Sequence, residues 1–204
     1  MASGASSEPG EGESIEIENM VDSPSPDLLR FARKSTSTRK RGEVREEQMA
    51  KATPATTALE KAGMAFTLHE YDYDPNAARI GMQAAEALGI APERVLKTLM
   101  AKAGNAVVCV LAPSDREVSL KRLAAAAGVK DAAMLPPAEA ERFTGYHVGG
   151  ISPLGQRKRA PAFIERAALS HPTVLVNGGR RGLQIEIAPA ALVQAIGAKA
   201  ADLC

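Results

Sequence analysis

Tryptophan is absent from these 204 residues, and aromatic residues of every kind make up only 3% of them. So thin a supply argues against reading nucleic acid on a platform of stacked rings. Cysteine occurs only at Cys109 and Cys204, which excludes a disulfide framework and a four-cysteine zinc site. The histidines, His69, His147 and His171, are scattered singly. No paired-histidine metal motif results, and neither a metal nor a cofactor is expected. Apolar runs stay far short of the ~20 residues that span a bilayer, so no membrane partner is expected either. Near the start there are acids and no consecutive apolar stretch, which speaks against a secretory or organelle-targeting segment. The expectation is a soluble, cytoplasmic protein.

What is present suffices for one domain with a tail. Apolar residues reach 45%, mostly Ala, Val, Leu and Ile, enough to bury a core. The net charge of +1 hides an uneven distribution. Residues 1–27 carry Glu8, Glu11, Glu13, Glu16, Glu18, Asp22 and Asp27 and no base. Residues 28–45 carry Arg30, Arg33, Lys34, Arg39, Lys40, Arg41 and Arg45 against Glu43 alone. The remainder is nearly balanced, with 18 bases and 16 acids. A Ser-, Gly- and Pro-rich segment with such charge blocks cannot bury enough apolar surface to offset its ordering entropy. Residues 1–48 are therefore expected to be a disordered tail, and 49–204 the folded domain. The basic block reads as a solvated tail, with RNA contact as the alternative.

From about residue 50, short helical and strand patterns alternate. Residues 53–63 read as a helix, with Pro54 in its first turn and Gly63 as its stop. The run FTLHEY (66–71) alternates like a half-buried strand, and 82–88 reads as a short helix closed by Gly89. Apolar runs at 95–101 and 106–112, linked by KAGN, suit a hairpin. Ser119 caps a helix over 120–127 that Gly128 ends, and another helix is expected near 137–143. Strands at 173–176 and 183–187 flank the turn NGGRRG, and Pro189 opens a last helix running to about Ile196. No βαβ rhythm emerges. The fold class is α/β, a single domain with a mixed, partly antiparallel sheet.

Three places look chemical. In VLKTLM (95–100), a period of two puts Lys97 on one face with Val95 and Leu99. A lysine there either reaches a partner or pocket, since burying an unpaired ammonium is costly, or snorkels to water at the strand end. In TGYHVGGISPLGQRKR (144–159), two adjacent glycines, a Ser-Pro and a further glycine gather bare backbone N–H groups and a hydroxyl. Such a loop can cradle a carbonyl or phosphate oxygen, and Arg157, Lys158 and Arg159 add attraction for a polyanion. An irregular loop with a solvated basic edge is the alternative. In NGGRRG (177–182), the glycines allow close approach and Arg180 and Arg181 form a second basic cluster; a hairpin turn with exposed arginines would look the same. On the strand after it, Leu183, Ile185 and Ile187 should point to the core and Gln184 and Glu186 away from it.

No catalytic triad is visible. Ser152 has no evident Asp or His partner, Cys109 reads as a core thiol within VVCVLA, and neither His69 nor His171 has a partner in sequence.

The segment TGYHVGGISPLGQRKR closely resembles the most characteristic stretch of the YbaK-type Cys-tRNA(Pro) deacylases. These are free-standing relatives of the editing domain inserted in bacterial prolyl-tRNA synthetases. TPATTALEKAGMAFTLHEYDYDP, RVLKTLM and VNGGRRGLQIEIAP extend the similarity, in order and at matching spacing, over about residues 52–203. The resemblance implies a mixed α/β domain with a highly twisted, partly barrel-like sheet. It implies hydrolysis of the ester between a mischarged amino acid, chiefly cysteine, and the tRNA 3′ ribose, in trans to prolyl-tRNA synthetase. Mischarged tRNA is then the partner, with the synthetase a second one. Lys97 matches the family's key lysine. Tyr71, Thr98, Gly149, Gly150, Ile151, Ser152, Pro153, Gly178 and Gly179 match pocket positions. The implied mechanism is substrate-assisted: the cysteine thiol attacks its own carbonyl and leaves as a cyclic thiolactone. An enzyme that only orients its substrate needs no nucleophile of its own, in keeping with the missing triad.

Some positions depart from the family pattern. Asn177 stands where relatives usually have Ser, Gln184 where some have Asp, Ile80 where an aromatic is common, and His147 where an aliphatic residue is. Asn177 and Gln184 join the expected substrate contacts, and Arg157, Lys158, Arg159, Arg180 and Arg181 the expected tRNA contacts. Two other readings stand beside this one: a deacylase for Ala- or another small-amino-acid-tRNA that uses water, and a non-catalytic aminoacyl-tRNA-binding module.

Overall fold

The structure is a computed structural model and describes residues 52–76 and 82–204. The charge blocks of the expected tail, and Ile80, lie outside the described residues.

The first described helix, α1 (Pro54–Lys61), starts where its capping chemistry demands. The Thr53 hydroxyl accepts from the Thr56 N–H at 3.2 Å, and the Thr56 hydroxyl accepts from the Thr53 N–H at 2.9 Å. Such a reciprocal cap is worth about 1 kcal/mol. The same Thr53 hydroxyl donates to the Gly178 carbonyl at 2.6 Å, so the cap also ties the helix to a distant loop. Strand β1 (Thr67–Glu70), helix α2 (Gln83–Leu88), a 3-10 turn (Pro92–Arg94) and the hairpin β2 (Val95–Ala103) and β3 (Ala106–Pro113) follow. Next come α3 (Leu120–Ala127), β4 (Ala132–Met134), α4 (Pro137–Thr144), β5 (Ala162–Glu165) and a 3-10 segment (Arg166–Ser170). The chain finishes with β6 (Val174–Asn177), β7 (Leu183–Ile187), α5 (Pro189–Ile196) and β8 (Lys199–Ala201). Both hairpin strands run slightly beyond the apolar runs that predict them. β4, β5 and β8 are additions that periodicity does not flag.

The eight strands of the described residues form one mixed sheet in the order β1-β7-β6-β2-β3-β5-β8, with β4 paired to β2 off that path. The β2–β3, β6–β7, β1–β7 and β2–β4 pairings are antiparallel; β2–β6, β3–β5 and β5–β8 are parallel. Strand alternation divides the apolar residues between two faces. Leu96, Met100, Leu111, Ile164, Val176 and Ile185 pack with Leu59 of α1 and Leu192 of α5. On the other face, Ala101, Val108, Val110 and Phe163 pack with Leu123 of α3 and Leu203, while Val95 and Leu175 pack with Ala84 and Ala85 of α2. Among the described residues no helix is long and apolar enough to cross a membrane.

One irregularity positions the site. β2 pairs with β3 from Leu96 to Ala103, but its other edge is shared by two short partners. β6 takes Val95 and Leu96; β4 takes Ala101 to Ala103. Residues 97–99 between them have a ladder partner on the β3 side alone. The Met100 carbonyl accepts from the Leu135 N–H on the β4 side, so by the strand's alternation the Thr98 N–H and C=O point into the opening.

Candidate active site

A cleft of about 320 Å³ lies over this split in the sheet. That is the size range of small-molecule sites. β2 forms its floor with residues 95–100, and because the sheet is open there, residues of both faces reach it. Tyr71 and Tyr73, on the chain leaving β1, and Ala84 of α2 make one wall. Leu135, Pro137 and Ala140 make another, and Val148, Gly149 and Ile151 arch over from the loop after α4. Asn177 at the end of β6 and Gln184 on β7 complete it. Met134 and Val148 stand at the cleft 45% and 40% exposed, an apolar lining open to solvent.

The polar lining has two loose ends. The Thr98 Oγ1 and Gln184 Oε1 atoms are buried and have no hydrogen-bond partner. Buried polar atoms nearly always find one, so two orphans in one cleft mark a place where a ligand's donors fit. Gln184 as a whole is only 5% exposed. Burial pushes the Tyr71 phenol above its ordinary value, and a hydrogen bond from the Gln184 side chain works in the opposite direction. Lys97 is half-buried, and its Nζ donates to the Arg116 carbonyl. It has therefore found a backbone partner while still lining the cleft.

Two glycine-rich loops meet beside the cleft, and their contacts explain their composition. Gly149 has φ +87°, and a Cβ there would stand 3.2 Å from both the Arg181 Nε and the Tyr73 hydroxyl. A Cβ on Gly150 would stand 3.1 Å from the Arg180 backbone. Asn177 donates through Nδ2 to the Gly149 carbonyl and accepts through Oδ1 from the Gly179 N–H. Arg181 donates twice to the Val148 carbonyl, at 3.0 and 2.9 Å. The Val148 N–H donates to Glu141, and this bond above all holds that carboxyl below its usual range.

Of the residues expected from sequence, Tyr71, Lys97, Thr98, Gly149, Ile151, Asn177 and Gln184 line this cleft. Gly150, Ser152, Pro153, Gly178 and Gly179 are not among its lining residues. Ser152 is fully buried and its hydroxyl accepts from the Leu154 N–H; Gly178 pairs with Leu183 through its N–H and with Thr53 through its carbonyl. Pro153 faces a second cavity of about 260 Å³, shared with Cys109 and Arg159. Lys158 sits 6.0 Å over the Phe143 ring, and the Arg157 N–H donates to the Thr144 carbonyl. Arg180 pairs with Glu70, and Arg181 lies 5.4 Å from the centre of the Tyr73 ring.

Sequence reasoning missed Tyr73, although it lies in the motif stretch 53–75, and the apolar wall of Leu135, Pro137 and Ala140, which comes from a segment with no motif of its own. It also missed the partner of His69. The His69 Nε2 lies 2.7 Å from Glu186 Oε2, while the other oxygen of Glu186 accepts from Thr173 at 2.5 Å and Arg94 at 3.0 Å. The Thr173 bond leads in holding the Glu186 carboxyl below its usual range. Antiparallel pairing of β1 with β7 could have suggested this pair, since both residues face away from the core.

Comparison with known proteins bears on this arrangement. The sequence pattern of the aminoacyl-tRNA editing domain matches residues 74–195. A protein of Enterococcus faecalis, named as a proposed Cys-tRNA(Pro)/Cys-tRNA(Cys) deacylase, EbsC, is 36% identical over 138 residues, covering 66% of this chain and 83% of its own. The crystal structure of a proposed trans-editing enzyme for prolyl-tRNA synthetase superposes with a TM-score of 0.66 at 25% identity, covering 74% of this chain and 94% of that one. A second crystal structure, of the hypothetical protein APE2540, gives the same TM-score at 27% identity, with coverage of 74% and 99%.

Proposed function

The chain belongs to the aminoacyl-tRNA editing domain family, and from that membership we propose that it is a deacylase that clears mischarged Cys-tRNA(Pro) in trans. One observation carries the reading. Among the described residues lining the cleft there is no Asp, Glu, His or Cys, yet two buried acceptors wait unpartnered there. Such a site can hold and orient an aminoacyl ester but offers no carboxylate, imidazole or thiol to attack it.

The chemistry then falls to the substrate. The cysteine thiol, as thiolate, attacks its own ester carbonyl, forming the C–S bond of a thiolactone. The tetrahedral oxyanion collapses, the bond to the ribose oxygen breaks, and that oxygen takes up the proton the thiol gave up. Water later opens the thiolactone to free cysteine. The protein's part is geometry and charge. Thr98 Oγ1 and Gln184 Oε1 accept from the substrate ammonium and thereby fix the thiol against the carbonyl. The Lys97 ammonium and the Thr98 N–H on the open edge of β2 stabilise the oxyanion. A translation-editing activity of this kind acts in the cytoplasm, and recruitment by prolyl-tRNA synthetase would supply selectivity for the tRNA body.

The test is to incubate the protein with separately prepared Cys-tRNA(Pro) and Ala-tRNA(Pro) and follow loss of the ester. Rapid loss from the cysteinyl substrate is expected. Loss from Ala-tRNA(Pro) alone would indicate a water-dependent deacylase of different preference, and loss from neither would indicate a binding module.

A further inference from the structure

Beside the cleft lies an open groove of about 440 Å³ that shares Tyr71 and Tyr73 with it. The groove also takes in Glu70, Asp72, Arg180 and Arg181. Its charge is balanced, two arginines against two carboxylates, and both guanidiniums are engaged. Arg180 is paired with Glu70, and Arg181 is held by the Val148 carbonyl. A phosphate entering here would meet Glu70 and Asp72 and would have to displace existing bonds. A neutral, flat group would not.

The Tyr73 ring and the guanidinium over it point the same way. The Arg181 guanidinium is fixed by two bonds to one carbonyl and lies 5.4 Å from the centre of the Tyr73 ring. Arg181 is exposed and Tyr73 half-buried, so the pair presents a preformed planar surface to the groove. Rings and guanidinium planes of this kind stack nucleobases without regard to sequence. The exposed carboxylate of Asp72 lies in the same groove and can accept from an exocyclic amine.

We infer that this groove is a nucleobase subsite that takes the terminal adenine of the tRNA while the aminoacyl group occupies the cleft. The ester then lies at the shared wall, next to Tyr71. The inference rests on the reading that the cleft takes an aminoacyl ester, but the groove is testable without turnover.

The experiment is an amide chemical-shift titration of the full chain with adenosine, and in parallel with ribose 5-phosphate. Adenosine should shift the amides of residues 71–73 and 180–182, and ribose 5-phosphate should leave them unmoved. Tyr73→Phe should retain the adenosine shifts, and Tyr73→Leu should lose them. In deacylation, the drop in kcat/KM caused by Tyr73→Leu should be at least tenfold larger with Cys-tRNA(Pro) than with cysteine ethyl ester. Shifts elsewhere, equal shifts with ribose 5-phosphate, or retention in Tyr73→Leu would overturn the subsite. Failure of the wild type to cleave Cys-tRNA(Pro), with adenosine shifts intact, would instead overturn the deacylase reading and leave a nucleoside-binding groove.

Discussion

Asn177 holds Gly149 in place across the mouth of two loops. Its Nδ2 donates to the Gly149 carbonyl at 3.1 Å while its Oδ1 accepts from the Gly179 N–H at 2.8 Å. One carboxamide at the end of β6 thus sets the spacing of both glycine-rich segments at the cleft. Asn177→Ala leaves a carbonyl and an N–H without partners, at a cost of about 1–3 kcal/mol. A thermal melt should show a clear fall in Tm. The rate on Cys-tRNA(Pro) should drop by about tenfold or more, because small misplacements of a positioning loop are expensive. Unchanged activity with lowered Tm would show that the loops need no such spacing.

Lys97 separates activity from stability. Its side chain is half-exposed and its Nζ bonds one backbone carbonyl, that of Arg116. Lys97→Ala should therefore change stability by no more than about 0.5 kcal/mol, as for a typical surface site. Single-turnover deacylation should fall about 100-fold, the scale of losing one oxyanion donor. A variant that works at nearly the wild-type rate contradicts the role given to this lysine.

Thr98 makes the opposite test. Its Oγ1 is buried without a partner, so Thr98→Val removes an unmet acceptor and keeps the shape. The melting temperature should hold or rise, since replacing an unsatisfied polar group by an apolar one of the same shape is neutral or stabilising. KM for Cys-tRNA(Pro) should rise. A fall of several degrees in Tm would reveal a partner for this hydroxyl.

The two cysteines should differ sharply in reactivity. Burial pushes the Cys109 thiol up to about 12, opposed weakly by Gln156. Cys204 is raised too, by burial and by Glu165, but it is partly accessible. An alkylating reagent at pH 8 should modify Cys204 alone in the native chain and both thiols in denaturant. The same shift has a stability consequence. Above about pH 9 the unfolded chain gives up the Cys109 proton while the native chain keeps it, so stability falls as pH rises through 9. Urea midpoints at pH 8 and pH 10 should differ more in the wild type than in Cys109→Ala.

The parts of the fold that sequence revealed were those governed by local chemistry. Ser119 caps its helix through its own hydroxyl, Pro54 opens the first helix, Gly89 and Gly128 close helices in the left-handed conformation, and the apolar runs of β2 and β3 pair residue by residue. Leu183, Ile185 and Ile187 point inward as alternation requires. β4 and β8 escaped because three residues each, largely alanine, carry no period, and they become strands only by docking on β2 and β5. The cleft shows the same division. Lys97 and Thr98 announce themselves by motif, whereas Leu135 and Pro137 enter it only because the chain after β4 runs beside the uncovered part of β2, and Tyr73, though in a motif stretch, is brought there by the chain leaving β1. Gln184 was expected to face away from the core, and does so, but it is buried against the cleft rather than solvated.

The central claim is that the substrate's own thiol performs the attack, and exchanging sulfur for oxygen tests it most directly. Single-turnover rates are measured on Cys-tRNA(Pro) and Ser-tRNA(Pro) at neutral pH with the protein in excess. Cysteine and serine fill nearly the same space, so binding separates them weakly. A hydroxyl is far less nucleophilic than a thiol that is a few per cent ionised, and the seryl ester should be cleaved at least about 100-fold more slowly. Equal rates on the two esters would contradict thiol assistance and require water as the nucleophile.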